Sequence, residues 1–208
     1  MKILVTGFEP FAGEVINSSL EAIQLLPDTI ENAQIVKTTI PTVFGKSIET
    51  LKEMLEKEKP DVVICVGQAG GRAEITIERV AINIDDASIP DNEGNLPKDQ
   101  IIFKDGENAY FSNLPIKKIV EAIKECKIPA SISNSAGTYV CNHLMYGLLY
   151  FINKKYKNIR GGFIHVPYLP EQVLNKKNVP SMSLDNIALA LNCTIKKIIE
   201  ESHFDKSL

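Results

Sequence analysis

Three short apolar runs, at residues 2–6 (KILVT), 33–39 and 61–66 (DVVICV), are separated by two segments whose apolar residues recur at helical spacing. Runs this uniformly apolar need cover on both faces. A strand–helix–strand–helix–strand order supplies that cover through the crossover helices of a parallel sheet. In the first helical segment Ser18 and Glu21 form a capping-box pattern, Leu20, Ile23 and Leu26 follow, and Pro27 ends the helix. In the second, Pro41 opens a helix carrying Phe44, Ile48, Leu51 and Leu55 as one stripe. Beyond the midpoint, Ile116, Ile119, Val120 and Ile123 mark a helix, IPASISN a strand, Val140 to about Tyr156 a helix, and GGFIHV a last strand. Leu184, Ile187, Leu191, Ile195 and Ile198 mark a C-terminal helix. With no repeat, low-complexity tract or linker, residues 1–208 are expected to form one α/β domain.

Two stretches break this regularity. In EITIERVAINI, Ile75 and Ile77 share one parity, whereas Val80, Ile82 and Ile84 share the other. The slip falls at Glu78-Arg79, and a bulge or bend there would re-aim a side chain. Residues 85–106 are rich in Asp, Asn, Pro and Gly, and a turn-rich excursion of that length is often functional.

Charge narrows the partners. With 23 basic and 26 acidic residues the formal net charge is −3, so there is no basic footprint for nucleic acid. No run approaches 18 apolar residues, which excludes a membrane-spanning helix, and the N-terminus reads as a buried strand rather than a signal peptide. The four cysteines, Cys65, Cys126, Cys141 and Cys193, form no CxxC. The expectation is four reduced thiols in a cytoplasmic protein, with neither a disulfide nor a zinc site.

The thiols differ in setting. Cys65, within VVICV, and Cys126, continuing the Ile116–Ile123 stripe, read as core. Cys193 lies off its helix's apolar stripe and reads as a surface thiol or part of a subunit contact. With Leu189 and Ala190 it would give that helix a partly apolar second face. Cys141 follows the small-residue loop SAGTY at the first turn of a helix. There unpaired N–H groups and the helix dipole favour a thiolate and could bind a developing oxyanion. The other reading is a helix-start cysteine with no chemistry.

A cysteine nucleophile needs a base. His143, two residues after Cys141 on the same helix, points about 200° away and reads as a packing or hydrogen-bonding residue. His203, near the C-terminus, is expected in solvent. His165 ends the strand GGFIHVP at the sheet's carboxyl edge, where sites of such sheets lie, and is the best candidate base, a satisfied core histidine being the alternative. Glu78 at the phase slip would orient the imidazole. Alternatively it pairs with Arg79 or Arg72 as a structural ion pair.

The strings GFEPFAG (7–13), VGQAGGR (66–72), ERVAIN (78–83), IPDN (89–92), SAGTYVCNHLMY (135–146) and GFIHVPYLPEQ (162–172), in this order, closely resemble the pyroglutamyl peptidase I family of cysteine peptidases. The resemblance implies a three-layer α/β/α sandwich with a mostly parallel twisted central sheet. It implies a catalytic set of Glu78, Cys141 and His165, hydrolysis after an N-terminal pyroglutamyl residue through a thioester, no metal or cofactor, and a cytoplasmic homotetramer. Phe8 and Phe11 match its ring-contacting aromatics, Gln68 a polar substrate contact and Ile89 an apolar pocket position. In DDASIPDN, Ser88 stands where the family pattern has Arg, which leaves the cationic part of the oxyanion region unassigned. In GFEPFAG, Ala12 replaces the commoner Gly.

A neutral lactam calls for a flat-walled apolar pocket with a few donors and acceptors. Three other readings compete. A cysteine amidase or glutaminase would want charges for an α-ammonium and α-carboxylate. A nucleoside phosphorylase would use GQAGGR as a phosphate loop and leave the Cys141 motif idle. A binding protein that has lost activity fits Ser88 but not the intact trio.

Overall fold

A computed structural model describes the backbone of residues 1–204 and the side chains of residues 1–202. His203 therefore lies outside the described side chains. The elements are β1 (Lys2–Phe8), α1 (Ser18–Gln24), β2 (Thr29–Ile30), β3 (Ala33–Ile40), α2 (Lys46–Glu58), β4 (Val62–Gln68), β5 (Ile75–Glu78), β6 (Val80–Ile82), β7 (Ala109–Phe111), α3 (Ile116–Glu125), β8 (Ala130–Ser133), α4 (Val140–Lys154), β9 (Arg160–Val166) and α5 (Leu184–Phe204). Seven strands form the main sheet in the order β2-β3-β1-β4-β9-β5-β8, and β6 pairs only with β7. The pairs β3-β1, β1-β4, β4-β9 and β5-β8 are parallel, whereas β2-β3 and β5-β9 are antiparallel.

Strand parity divides the core into two layers. Ile3, Val5, Ile64, Val66, Ile77 and Ile164 face α1, α3 and α5, whose Ile23, Ile119 and Leu191 complete that cluster. Leu4, Phe8, Val63, Cys65 and Phe163 face α2 and α4. The result is the expected three-layer α/β/α sandwich. Helix α4 is buried along most of its length, and Gly147 permits close approach: a Cβ there would lie 2.6 Å from Ile48 of α2.

Several expectations are corrected. Asn17, not Ser18, caps α1, its Oδ1 accepting from Ser19 N–H at 3.0 Å. The strands β2 and β7 are too short to leave a periodic pattern. Cys126 and Cys193, expected as reduced thiols, are joined by a disulfide. Helices α3 and α5 pack side by side in one layer and bring together two half-buried cysteines 67 residues apart, which no local spacing reveals. Ala190 is fully buried, so Leu189, 45% exposed, is left without it on the outer face of α5. Cys65, fully buried, is core as expected.

The phase slip is real and has a structural meaning. β5 ends at Glu78, and after Arg79 the chain leaves the main sheet for the β6-β7 ribbon. Buried Asn142 of α4 fastens that departure, accepting from Ile82 N–H and donating to the Ile82 and Ile84 carbonyls. Residues 85–106 then run without helix or strand. Asp91 knots this excursion, accepting from the N–H groups of Glu93, Asn95 and Phe44.

Candidate active site

The topology delivers three side chains to one face of the sheet. On β9, Phe163 and His165 share a parity and point toward α2 and α4. On β5, Thr76 and Glu78 share the opposite parity to the core residues Ile75 and Ile77. Because β5 runs antiparallel to β9, Thr76 lies opposite His165, and Glu78 is the diagonal neighbour two residues on. Such diagonals are within reach of long side chains. Glu78 Oε1 is 2.8 Å from His165 Nδ1, and the two residues are 0% and 4% exposed. A carboxylate accepts only, so Nδ1 carries the proton and Nε2 keeps its lone pair.

Arg72, on the loop before β5, also reaches Glu78. Its Nη1 is 2.6 Å from the same Oε1. The alternatives left by the sequence, a histidine partner or an arginine ion pair, are thus realised together. Arg79 takes no part, its Nε donating to Asn134 at 2.7 Å.

Cys141 arrives from the helical layer that covers this face, in the first turn of α4. Its sulfur sits over Gly67, which is register-paired with His165. A Cβ on Gly67 would lie 3.0 Å from Sγ. Tyr139, the N-cap of α4, makes no side-chain cap, so its side chain does not compete for the N–H groups at this helix start.

The electrostatics correct one expectation. Burial, reinforced by the nearby Glu78 charge, pushes the Cys141 thiol up to about 12, with Arg72 pulling the other way. Desolvation therefore outweighs the features that favour a thiolate. Burial likewise lowers the His165 pKa, against the opposing pull of Glu78. For Glu78, burial acts to raise the pKa, but His165 and Arg72, both bonded to it, hold it below its ordinary value. The resting arrangement is a thiol, a neutral imidazole and a carboxylate.

These groups open on a cavity of about 530 Å³ that Cys141 and His165 line together. Phe8, Phe11 and Tyr139 form aromatic wall, the last two with ring centroids 5.9 Å apart. Phe8 is only 2% exposed and also packs on Phe163, so it is at once core and wall. Gln68 lines the cavity, and its Oε1 accepts from Ser18 N–H and Gln172 Nε2, both at 2.9 Å. Both bonds fall on the oxygen, which leaves the NH₂ end for a ligand. The orienting role of Gln172 was hidden in the sequence, because 104 residues separate it from Gln68.

Ile89, expected as pocket wall, is 40% exposed and is not among the lining side chains. Its segment contributes through the next residues instead: the Pro90 carbonyl accepts from Tyr139 Oη, and Asn92 Nδ2 donates to the Pro10 carbonyl in the loop bearing Phe11. Ser88 is exposed and also absent from the lining. Arg72 is the one cationic side chain there, among the described residues.

His143 has the bonding role expected of it. Its Nε2 accepts from Gly45 N–H at 2.9 Å, so Nδ1–H donates to Asp85, 2.7 Å away. This pair holds α4 to the start of the excursion. No group of three or more His, Cys, Asp or Glu among the described residues has the arrangement to hold a metal ion, and no described helix is long and apolar enough to cross a membrane.

Comparison with known proteins gives consistent matches. The family model described as pyroglutamyl peptidase matches residues 1–201. The pyrrolidone-carboxylate peptidase of Thermosipho africanus is 80% identical over 201 residues, which cover 97% of this chain and 98% of that one. The crystal structure of Bacillus amyloliquefaciens pyroglutamyl peptidase I superposes with a TM-score of 0.92 at 54% identity, covering 95% of this chain and 96% of the other. The pyrrolidone carboxyl peptidase of Thermococcus litoralis gives a TM-score of 0.93 at 40% identity, over 98% and 96% of the two chains.

Proposed function

The chain belongs to the pyroglutamyl peptidase family, and we propose that Cys141, His165 and Glu78 carry out in it the removal of an N-terminal pyroglutamyl residue from peptides. The observation that carries the assignment is the convergence of the Cys141 thiol and the Glu78-bonded His165 on one aromatic-walled cavity.

The resting protonation states set the order of events. Cys141 is a thiol, so its proton moves to His165 Nε2 as sulfur attacks the carbonyl that links the lactam ring to the next residue. Glu78 stabilises the imidazolium that forms and keeps the proton on Nδ1. The oxygen of the tetrahedral intermediate gains negative charge and takes donors from the backbone N–H groups at the α4 start. Breakdown of the C–N bond transfers the proton from His165 to the departing amine and leaves a thioester on Cys141. Water then enters, His165 takes its proton, and pyroglutamate leaves as the thiol re-forms.

The cavity suits a small neutral ring. Phe8, Phe11 and Tyr139 cover the faces of the lactam, and the NH₂ end of Gln68 donates to its carbonyl. A glutaminase would need charges for both an α-ammonium and an α-carboxylate. The charged lining side chain present, Arg72, is already engaged by Glu78. Hydrolysis of a pyroglutamyl aminocoumarin tests the reading: turnover by the reduced protein and none by Cys141→Ala supports it, and turnover by Cys141→Ala contradicts it.

The wider reading is one peptidase domain over residues 1–208 that works as a cytoplasmic homotetramer. The continuous family match over residues 1–201 supports the first part. Exposed Leu189 on α5 is a candidate subunit contact, and a monomeric mass by light scattering would overturn the assembly.

A further inference from the structure

Arg72 makes contacts that join two parts of the site. Its Nη1 bonds Glu78 Oε1 and Thr76 Oγ1, both on β5, while Nη2 is 3.3 Å from the Ser135 carbonyl oxygen. Ser135 belongs to the loop that leads into α4 and Cys141. The guanidinium therefore spans the strand of the acid and the loop of the nucleophile. A planar fork with five donors can hold such divergent acceptors at once, whereas an ammonium is a single point charge.

The condition of Glu78 makes this span matter. Both of its hydrogen-bonded contacts fall on Oε1, where His165 and Arg72 meet. Its Oε2 is buried and has no hydrogen-bond partner among the described residues, the neighbouring Ser133 hydroxyl donating to the Ser135 carbonyl instead. A buried carboxylate held by His165 alone would be free to turn about its last torsion, which is broad and two-fold. Arg72 adds a second fixed point on the oxygen that the imidazole uses.

We propose that Arg72 is a positioning residue for the reaction: it fixes the Glu78 carboxylate on His165 and ties β5 to the loop that carries Cys141. The proposal rests on the catalytic roles assigned above. It also gives the site a cation where Ser88 supplies none.

The groups with charge or protons to exchange that face His165 are Glu78 from β5, Arg72 from the loop before it, Cys141 from α4 and Cys65 from β4. Arg72 is the cation of this set, and its charge helps to hold the His165 pKa down.

Steady-state kinetics of Arg72→Gln and Arg72→Lys across pH test the proposal, with Arg79→Gln as control because Arg79 bonds Asn134 away from the cavity. For Arg72→Gln, kcat is expected to fall about 100-fold, the scale of a catalytic group misplaced by roughly an ångström. KM should stay nearly unchanged, and the acid limb of kcat/KM should move to higher pH as His165 loses its neighbouring cation. Arg72→Lys keeps a charge and loses the fork, so kcat should fall while the acid limb stays near its original position. Arg79→Gln should match the parent. A merely structural role would lower thermal stability without moving the limb. Parent-like kcat and acid limb in Arg72→Gln, or a loss confined to KM, would overturn the proposal. Should Arg72→Gln not fold, parent-like kcat in Arg72→Lys would overturn it equally. Cys141→Ala, assayed alongside, separates the two readings: activity that survives it removes the catalytic assignment itself.

Discussion

A side chain on Gly67 would lie 3.0 Å from the sulfur of Cys141. The space left by its hydrogen atom is where the proposed nucleophile sits, one strand away from its proposed base. Gly67 lies directly across from His165 in the parallel β4-β9 pair. Its φ is not positive, so the demand is for space and not for backbone freedom. Gly67→Ala should therefore push Cys141 and the Phe163 ring, which a Cβ would meet at 2.7 Å, out of position. Overpacking of this kind costs about 1–3 kcal/mol of stability, and a shifted nucleophile about 100-fold in rate. Kinetics and thermal melts of the folded variant measure both. A variant with parent-like kcat would show that the thiol does not need this space.

The protonation states predict the pH profile. His165 must be neutral to accept the thiol proton, and its pKa is lowered from 6.5, chiefly by burial. The acid limb of kcat/KM should therefore lie below pH 6.5. Cys141 is pushed up to about 12, so no alkaline limb from thiol ionisation should appear near the ordinary cysteine value of 9. A profile falling on either side of neutrality, with limbs above 6.5 and near 9, would indicate a different resting state.

Stability should follow acid in the same direction. Both Glu78 and His165 have folded-state pKa values lowered from 4.5 and 6.5. For each, the folded state binds the proton more weakly than the unfolded state does. Stability from each is complete above its unfolded value and is lost as pH falls through the folded value. Melting temperature should decline from pH 7 toward pH 4. His165→Asn should remove the part of the decline that begins near pH 6.5, read by thermal melts across the range.

Much of this site was legible in the residues. The strand runs and helical stripes located most of the elements, because apolar periodicity records which face is buried. The parity change at Glu78-Arg79 was equally readable: it marks where β5 ends and the chain switches sheets. His165 and Cys141 stood out by position, one at a strand's carboxyl end and the other at a helix start. What stayed hidden depends on contacts between distant segments. Arg72 gripping Glu78 and Ser135, Gln172 orienting Gln68, and Cys126 meeting Cys193 leave no periodic trace. Nor does burial depth, which is why a helix-start cysteine expected as a thiolate rests as a thiol.

The disulfide should stabilise without serving catalysis. Cys126 and Cys193 join α3 and α5 in the layer on the far side of the sheet from Cys141 and α4. Closing a 67-residue loop corresponds to about 4 kcal/mol of chain entropy. Reduction with dithiothreitol, or Cys193→Ser, should lower the melting temperature and leave kcat unchanged. Peptide mapping without reductant should recover the two residues in one linked pair. Their recovery as separate alkylated peptides would contradict the pairing.

Gln68 should set ring specificity. Its amide oxygen is anchored by Ser18 and Gln172, which aims the NH₂ end into the cavity. A cyclopentanecarbonyl amide lacks the lactam carbonyl and leaves that donor unpaired. Its kcat/KM should be lower than that of the pyroglutamyl amide by a factor on the order of 10⁴, and Gln68→Leu should narrow the gap by weakening only the pyroglutamyl substrate. An equal loss for both substrates would place Gln68 outside ring recognition.

The central claim, that Cys141 is the nucleophile, is tested most directly by catching the acyl group on its sulfur. Acid quenching during turnover of a pyroglutamyl aryl ester, followed by intact mass and peptide mapping, should find one pyroglutamyl group, on the peptide containing Cys141, and none in Cys141→Ser. A pyroglutamyl group mapped to Cys65, Cys126 or Cys193, or undiminished turnover of a pyroglutamyl peptide by Cys141→Ser, would contradict it.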